Sequence, residues 1–198
     1  MLLLSFKAKG VFQIPISLFL FLFLFLSLSL SLSLSPPHIQ PVRDNDARLP
    51  STIKHLSVEY PIAKTRLQSI CEAIRSLVLQ EAGGRQTIVF ANTKVEADNI
   101  VASKILQSLP TSPKTLHGGM GQGARQATIR QFREGRIDVL VATDVASRGL
   151  DVQGVDLVIH SAFPEDFDSF VHRAGRTGRA GRPGTSVLLH SPSKKVCL

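Results

Sequence analysis

His172-Arg173-Ala174-Gly175-Arg176-Thr177-Gly178-Arg179-Ala180-Gly181-Arg182 is the stretch on which the reading of this chain turns. Arg173, Arg176 and Arg179 recur at every third residue, so on a helix they would climb one side in a slow spiral. A run of charge is ordinarily a solvated face. Glycine argues against that here, because in a merely solvated helix each glycine costs about 1 kcal/mol relative to alanine. Glycine does have a use where another backbone or a phosphate must come close, and guanidinium forks match phosphate oxygens two at a time.

Upstream, Ala142-Thr143-Asp144-Val145-Ala146-Ser147-Arg148-Gly149-Leu150-Asp151-Val152 follows an apolar run, Asp138–Ala142. A strand ending in Thr143, Asp144 and Ser147 offers capping hydroxyls, backbone N–H groups and, with Asp151, two carboxylates. A carboxylate suits a diol, which donates two hydrogen bonds. Two further segments have the same form. Leu116-His117-Gly118-Gly119-Met120-Gly121-Gln122-Gly123-Ala124-Arg125 sets glycines before a helical pattern, and Thr87-Ile88-Val89-Phe90-Ala91-Asn92-Thr93 is a strand with a polar end.

From Ile53 onward short β-rich runs alternate with longer helical stretches, the pattern of βαβ units around a parallel sheet. Strands are expected at Ile53–Tyr60, Thr87–Ala91, Lys114–His117, Asp138–Ala142, Val155–His160 and Thr185–His190. Helices are expected at Lys64–Gln80, Lys94–Ser108, Gly123–Arg133 and Asp168–Arg176, with Gly83 and Gly84 ending the first. Thr93 is placed to cap the second helix, with Glu96 three residues on. In open α/β sheets ligands sit beyond the carboxyl ends of the strands, so chemistry is sought after Ala91, His117, Ala142 and His160.

Taken in order, these four segments resemble the helicase motifs of the DEAD-box RNA helicase family. The sixth motif of that family, His-Arg-x-Gly-Arg-x-Gly-Arg, is matched at every fixed position from His172 to Arg179, and the likeness runs from about Ile53 to His190. It implies an α/β, RecA-like three-layer domain with a mainly parallel sheet, the second lobe of an ATP-dependent RNA helicase. By resemblance Arg176 and Arg179 are the arginine fingers that reach the γ-phosphate, and His172 couples the nucleotide to the interface between lobes. Asp151 would hold the ribose of ATP and Arg148 would couple the lobes. Thr143, Gly149, Gly118, Gln122 and Arg125 would lie along the RNA backbone, and Phe90 would support the arginine fingers. The implied cofactor is ATP with Mg²⁺, shared with a first RecA-like lobe, with no metal ligand supplied by these residues. The implied partners are RNA and that first lobe.

Departures from the family pattern are local. Ser161-Ala162-Phe163 stands where the family often has Tyr-Asp, and Gly119 replaces a common Asp, removing a possible cap. Ser191–Leu198 stands where a closing helix is expected. The 198 residues contain neither Gly-x-x-x-x-Gly-Lys-Ser/Thr nor Asp-Glu-Ala-Asp, so the sequence is expected not to hydrolyse ATP alone. Two other readings stay open: a DNA helicase or translocase lobe of the same superfamily, and a non-catalytic RNA-binding remnant.

The net charge of +8 and the pI near 10.0 suit an acidic partner. Four basic and two acidic residues fall before Ile53, so +6 remains on residues 53–198. Cys71 and Cys197 are too few and too far apart for a disulfide framework or a metal cluster, which favours a reducing compartment. The compartment itself is not read from the sequence; an intracellular one is expected, with nucleus, nucleolus and organelle all open. Cys71 falls in a helical apolar pattern with Leu67, Ile70, Ile74 and Leu77, and is read as core.

Residues 1–35 are a separate matter. Val11–Leu34 is almost wholly apolar, first a Leu-Phe repeat and then Ser-Leu repeats. Lys7 and Lys9 before it resemble the start of a signal peptide, though Pro36 and Pro37 follow at once. The run also exceeds the ~20 residues that cross a bilayer, so a single apolar helix is sterically possible. A CT dinucleotide repeat read in frame encodes Leu-Ser-Leu-Ser, which explains the monotony best, and a membrane partner is not expected. Residues 36–52 read as a polar linker, and residues 53–198 as the domain.

Overall fold

The computed structural model describes the backbone of residues 38–41 and, with side chains, residues 50–60, 65–81, 86–144 and 154–191; the backbone of residue 82 is also described. The segment 1–35, Gly83, Gly84 and residues 192–198 lie outside the described residues. Among the described residues no helix is long and apolar enough to cross a membrane.

Among the described residues seven strands form one sheet: β1 (His38–Pro41), β2 (Ile53–Glu59), β3 (Thr87–Phe90), β4 (Lys114–Leu116), β5 (Val139–Ala142), β6 (Leu157–His160) and β7 (Gly184–His190). Their order is β1-β2-β7-β6-β3-β5-β4, parallel throughout except for β1, which pairs antiparallel with β2. All six expected strands are present with ends shifted by two residues or fewer. β1 was not expected, since His38–Pro41 fell in the stretch read as linker. Pro41 can end a strand there because the sheet edge requires no donor from it.

Strands β3, β5 and β6 are buried on both faces, and their residues alternate between two cores. Val89, Val139, Val141, Leu157 and Ile159 face a cluster built with Ile70, Cys71, Ile74 and Leu77 of α1 (Arg66–Leu77), Ala97 and Ile100 of α2 (Lys94–Ala102), and Leu106 of α3 (Lys104–Gln107). Ile88, Phe90, Leu140, Ala142 and Val158 face the other cluster, with Phe132 of α4 (Gln122–Arg133). Phe170 of α5 (Phe167–Ala174) packs on that same side, stacking on the His160 ring. A period of two along each strand therefore fills two layers of helices, as buried parallel strands require. Cys71 is buried as expected, and burial raises its thiol pKa.

The helices differ from expectation at their ends. Helix α1 is capped by Thr65, whose hydroxyl accepts from Gln68 N, and it continues from Val78 to Ala82 as a wider π-helical turn. The single helix expected over Lys94–Ser108 is two. Ser103 is extended (φ −62°, ψ 129°), and its hydroxyl accepts from Ile105 N, restarting the helix as α3. Serine competes for backbone groups in this way wherever it can cap. Thr93 caps α2 as expected, accepting from Glu96 N at 3.1 Å, while Glu96 reaches back to Asn92 N.

The order places a switch point at β3. From β3 the chain crosses to β4 and β5 on one side, then to β6 and β7 on the other. Connections leave the carboxyl edge in opposite directions there, which opens a crevice beyond β3, β5 and β6.

Candidate nucleotide and nucleic-acid interface

The crevice is floored by a network that the sequence reading did not find. Arg173, on the last turn of α5, is 2% exposed. Its Nε donates to Asp144 Oδ1 at 2.7 Å and its Nη2 to Asp144 Oδ2 at 2.5 Å, the bidentate geometry of a strong ion pair. Nη2 also reaches Asn92 Oδ1 at 3.1 Å, and the guanidinium lies 5.4 Å from the centroid of the Phe90 ring. Asn92 Nδ2 donates to the Phe163 carbonyl at 2.8 Å, and Glu96 Oε1 accepts from the Ser161 hydroxyl at 3.1 Å. The segments after β3, β5 and β6 are thus tied to one another and to α5.

Two expectations change here. Asp144, read as a carboxylate offered to ligand, is committed to Arg173. The three arginines do not climb one helix, because α5 ends at Ala174 with Gly175 as its cap. A signal for the network was present: Glu96 sits at the capping-box position, and a carboxylate there has a second oxygen for another partner.

Beyond Gly175 the chain runs to the amino edge of the sheet. The Thr177 hydroxyl donates to the carbonyl of Val155 at 2.5 Å, just before β6. Gly178 has φ +66°, and a Cβ there would overlap Ile53 at the start of β2. At Gly184 a Cβ would overlap Thr177 and the Gly178 nitrogen. Gly178 therefore serves the close approach of another segment of this chain. Arg176 and Arg179 leave this pinned loop half-buried, neither turned fully into solvent, while His172 is exposed. Burial first, and then the charge of Arg179, lower the affinity of Arg176 for its proton. Arg179 Nε donates to the Gly175 carbonyl at 2.5 Å, which fixes the start of its guanidinium.

On the β4 side, Thr143 N donates to the Leu116 carbonyl at 3.1 Å, so Thr143 sits beside the His117–Gly119 turn. Thr143 is 8% exposed, whereas Gly118 and Gln122 are exposed. His117 Nδ1 accepts from Gly119 N at 3.1 Å, which leaves Nε2–H to donate to Asp98 Oδ1 at 3.1 Å. A Cβ at Gly119 would come within 3.2 Å of that Nδ1, so glycine here lets the ring close the turn in place of an aspartate cap. Helix α4 begins at Gly121 with no side-chain cap, and Arg125 Nε in its first turn is buried without a partner. Uncapped N–H groups and an orphaned guanidinium nitrogen are groups that an anion would satisfy. Arg148, Gly149 and Asp151 lie outside the described residues. Among the described residues no three His, Cys, Asp or Glu are grouped to hold a metal ion.

A parallel sheet with one antiparallel edge strand, covered on both faces and carrying a switch-point crevice at its carboxyl edge, defines a RecA-like α/β lobe. Residues 66–181 match the helicase conserved C-terminal domain. The chain is 41% identical over 143 residues to nucleolar RNA helicase 2-A of Xenopus laevis, covering 72% of this chain and 18% of that protein. It is 47% identical over 117 residues to DEAD-box ATP-dependent RNA helicase 9, mitochondrial, of Arabidopsis thaliana, covering 59% and 19%. Among solved structures it resembles the E. coli DEAD-box protein SrmB bound to regulator of ribonuclease activity A, with TM-score 0.58 and 36% identity over 63% of this chain and 72% of that one. The chain belongs to the DEAD-box RNA helicases and carries their C-terminal, second RecA-like domain. It spans about a fifth of the length of the curated relatives it matches.

Proposed function

We propose that this domain is the closing half of an ATP-driven RNA clamp, binding RNA backbone and completing an ATP site whose phosphate loop belongs to a first RecA-like lobe. One observation carries the reading. Arg173 is paired with Asp144, while Arg176 and Arg179 both leave the loop after α5 half-buried, where burial first and then the Arg179 charge disfavour the charge of Arg176. Two half-buried guanidiniums leaving one loop suit a polyanion, and the γ-phosphate of ATP is such a group. ATP bound with Mg²⁺ supplies the phosphoryl group whose transfer to water drives the cycle. Arg176 and Arg179 would stabilise charge on that group, His172 would lie at the seam between lobes, Asp151 would take the ribose, and Arg148 would couple the lobes.

RNA would run past Thr143, Gly149, Gly118, Gln122 and Arg125. The unpartnered Arg125 Nε and the uncapped start of α4 support phosphate contacts there, which give affinity without base specificity. The choice of RNA over DNA is supported by the names of the two relatives given above, both RNA helicases.

The test combines the full chain with a separately produced first lobe and single-stranded RNA and measures ATP hydrolysis. Arg176→Ala and Arg179→Ala are each expected to lower turnover by about 10³-fold, the usual worth of an arginine finger. The proposal fails if the chain alone hydrolyses ATP faster than a variant lacking both arginines.

A further inference from the structure

On the far side of β6 from the switch point, a cavity of about 340 Å³ opens at the carboxyl ends of β2, β7 and β6. Its polar wall is Tyr60, Arg66 and Ser69, with His190 beside them, and its apolar wall includes Phe163 and Leu189. Ser69 is 3% exposed and Tyr60 5% exposed, and no hydrogen bond to another described residue engages either hydroxyl. A hydroxyl that opens onto a cavity rather than into packed core can bond a bound group in place of water. Both belong to residues that line this cavity. Among the described residues Arg66, which is exposed, has no carboxylate partner, and no acidic residue lines the cavity.

The cavity also meets the start of α1, a helix of 12 residues whose first turn contains no acid. Thr65 occupies only Gln68 N, so the first N–H groups of the helix face outward with the positive end of its dipole. His190 is already engaged, its Nε2 with the Ser57 hydroxyl at 3.2 Å and its Nδ1 with the Ser191 carbonyl at 3.1 Å. The donors left over are a guanidinium, two hydroxyls and helix N–H groups, which suit a phosphoryl group with several acceptor oxygens. A bare phosphate would leave the apolar wall uncovered, and the volume falls within the range of small-molecule sites.

We infer that this cavity is a second anion site, distinct from the candidate ATP and RNA surfaces, that takes a phosphate monoester with a flat or aliphatic body of about mononucleotide size. The phosphate is held by Arg66, Ser69, Tyr60 and the α1 N-terminus, and the body lies against Phe163 and Leu189. The Phe163 carbonyl accepts from Asn92, which also bonds Arg173, so one wall of the cavity is joined to the network under the crevice. The inference stands independently of the motor reading.

The experiment is a calorimetric titration of the full chain with inorganic phosphate, adenosine, AMP, and short RNAs with and without a 5′ phosphate. AMP is expected to bind at least about tenfold more tightly than either inorganic phosphate or adenosine, since it alone fills both walls. Arg66→Gln and Ser69→Ala are each expected to weaken AMP at least about threefold, and together at least about tenfold, through lost charge-assisted bonds. Ser69→Ala and Tyr60→Phe remove only a hydroxyl, and an unchanged melting temperature shows that the fold is kept. Arg176→Gln with Arg179→Gln should leave AMP binding as it was, separating this cavity from the candidate ATP surface. A 5′-phosphorylated RNA that binds like AMP identifies an RNA end as the source, and one that does not leaves a free nucleotide or similar monoester. Binding unchanged in Arg66→Gln and Ser69→Ala, binding abolished by the Arg176 and Arg179 changes, AMP no tighter than phosphate, or no binding by about 10 mM would each overturn the inference.

Discussion

Removing the Asp144 carboxylate is the sharpest perturbation available. Asp144→Ala leaves Arg173, 2% exposed, with its charge opposed only by the Asn92 oxygen and the Phe90 face. Breaking one partner out of a buried pair costs about 3–5 kcal/mol. The Asp144 side chain is 31% exposed, so water can enter where the carboxylate stood, and the low end, about 3 kcal/mol, applies. For a chain of this size each kcal/mol moves the melting temperature roughly 2–4 °C, so a fall of roughly 6–12 °C is expected. Arg173→Met removes the charge and keeps an apolar stem against Phe90, and is expected to cost about 1–2 kcal/mol. With both changes present the second should add little, giving a coupling of about 2 kcal/mol in a double-mutant cycle by urea unfolding. Effects that sum within about 0.5 kcal/mol would show that the pair does not bear on stability, and the account of the crevice floor would be wrong.

Two further outcomes follow from the same geometry. Gly178→Ala forces a positive φ on alanine and drives its methyl into Ile53, so it should cost about 2–4 kcal/mol; Gly181→Ala, also at positive φ but in open space, should cost about 1 kcal/mol, and equal losses by thermal unfolding would refute the close-approach argument. His160 is enclosed by Phe90, Phe170 and Ser186, and burial, then the charges of Arg173 and His55, hold its pKa well below the ordinary 6.5. The unfolded chain therefore binds the extra proton first, so stability should fall as pH drops below about 6.5 with a slope approaching 1.4 kcal/mol per pH unit, and His160→Gln should flatten that slope.

The strands and the layers were legible because buried parallel strands read as short apolar runs, and every such run here is bounded by a capping or turn residue. Thr93 and Cys71 are placed as their local patterns require. What could not be read was tertiary. Ser103 sits inside an apolar periodicity that permits a continuous helix, and only the path of the chain decides that its hydroxyl caps instead. Strand β1 is short and ends in proline, and it exists because β2 offers an edge, a fact absent from local composition. The pocket beside Arg66 joins residues from α1, β7 and the segments after β2 and β6, and no spacing in the sequence announces it.

The arginine motif shows how one regular spacing can conceal different physical tasks. A period of three suggests one surface, but the helix stops at Ala174, so consecutive arginines meet different surroundings. Arg173 points back along α5 onto Phe90 and is matched by a carboxylate. Thr177 then fastens the loop to the carbonyl before β6, while Gly178 and Gly184 let the starts of β2 and β7 press against it. That fastening matters because Arg176 is half-buried, and burial and then the charge of Arg179 both oppose its own charge. Held by Arg173 to Asp144 before it and by Thr177 to Val155 after it, Arg176 is positioned by the fold itself, and Arg179 is positioned separately by the bond from its Nε to the Gly175 carbonyl.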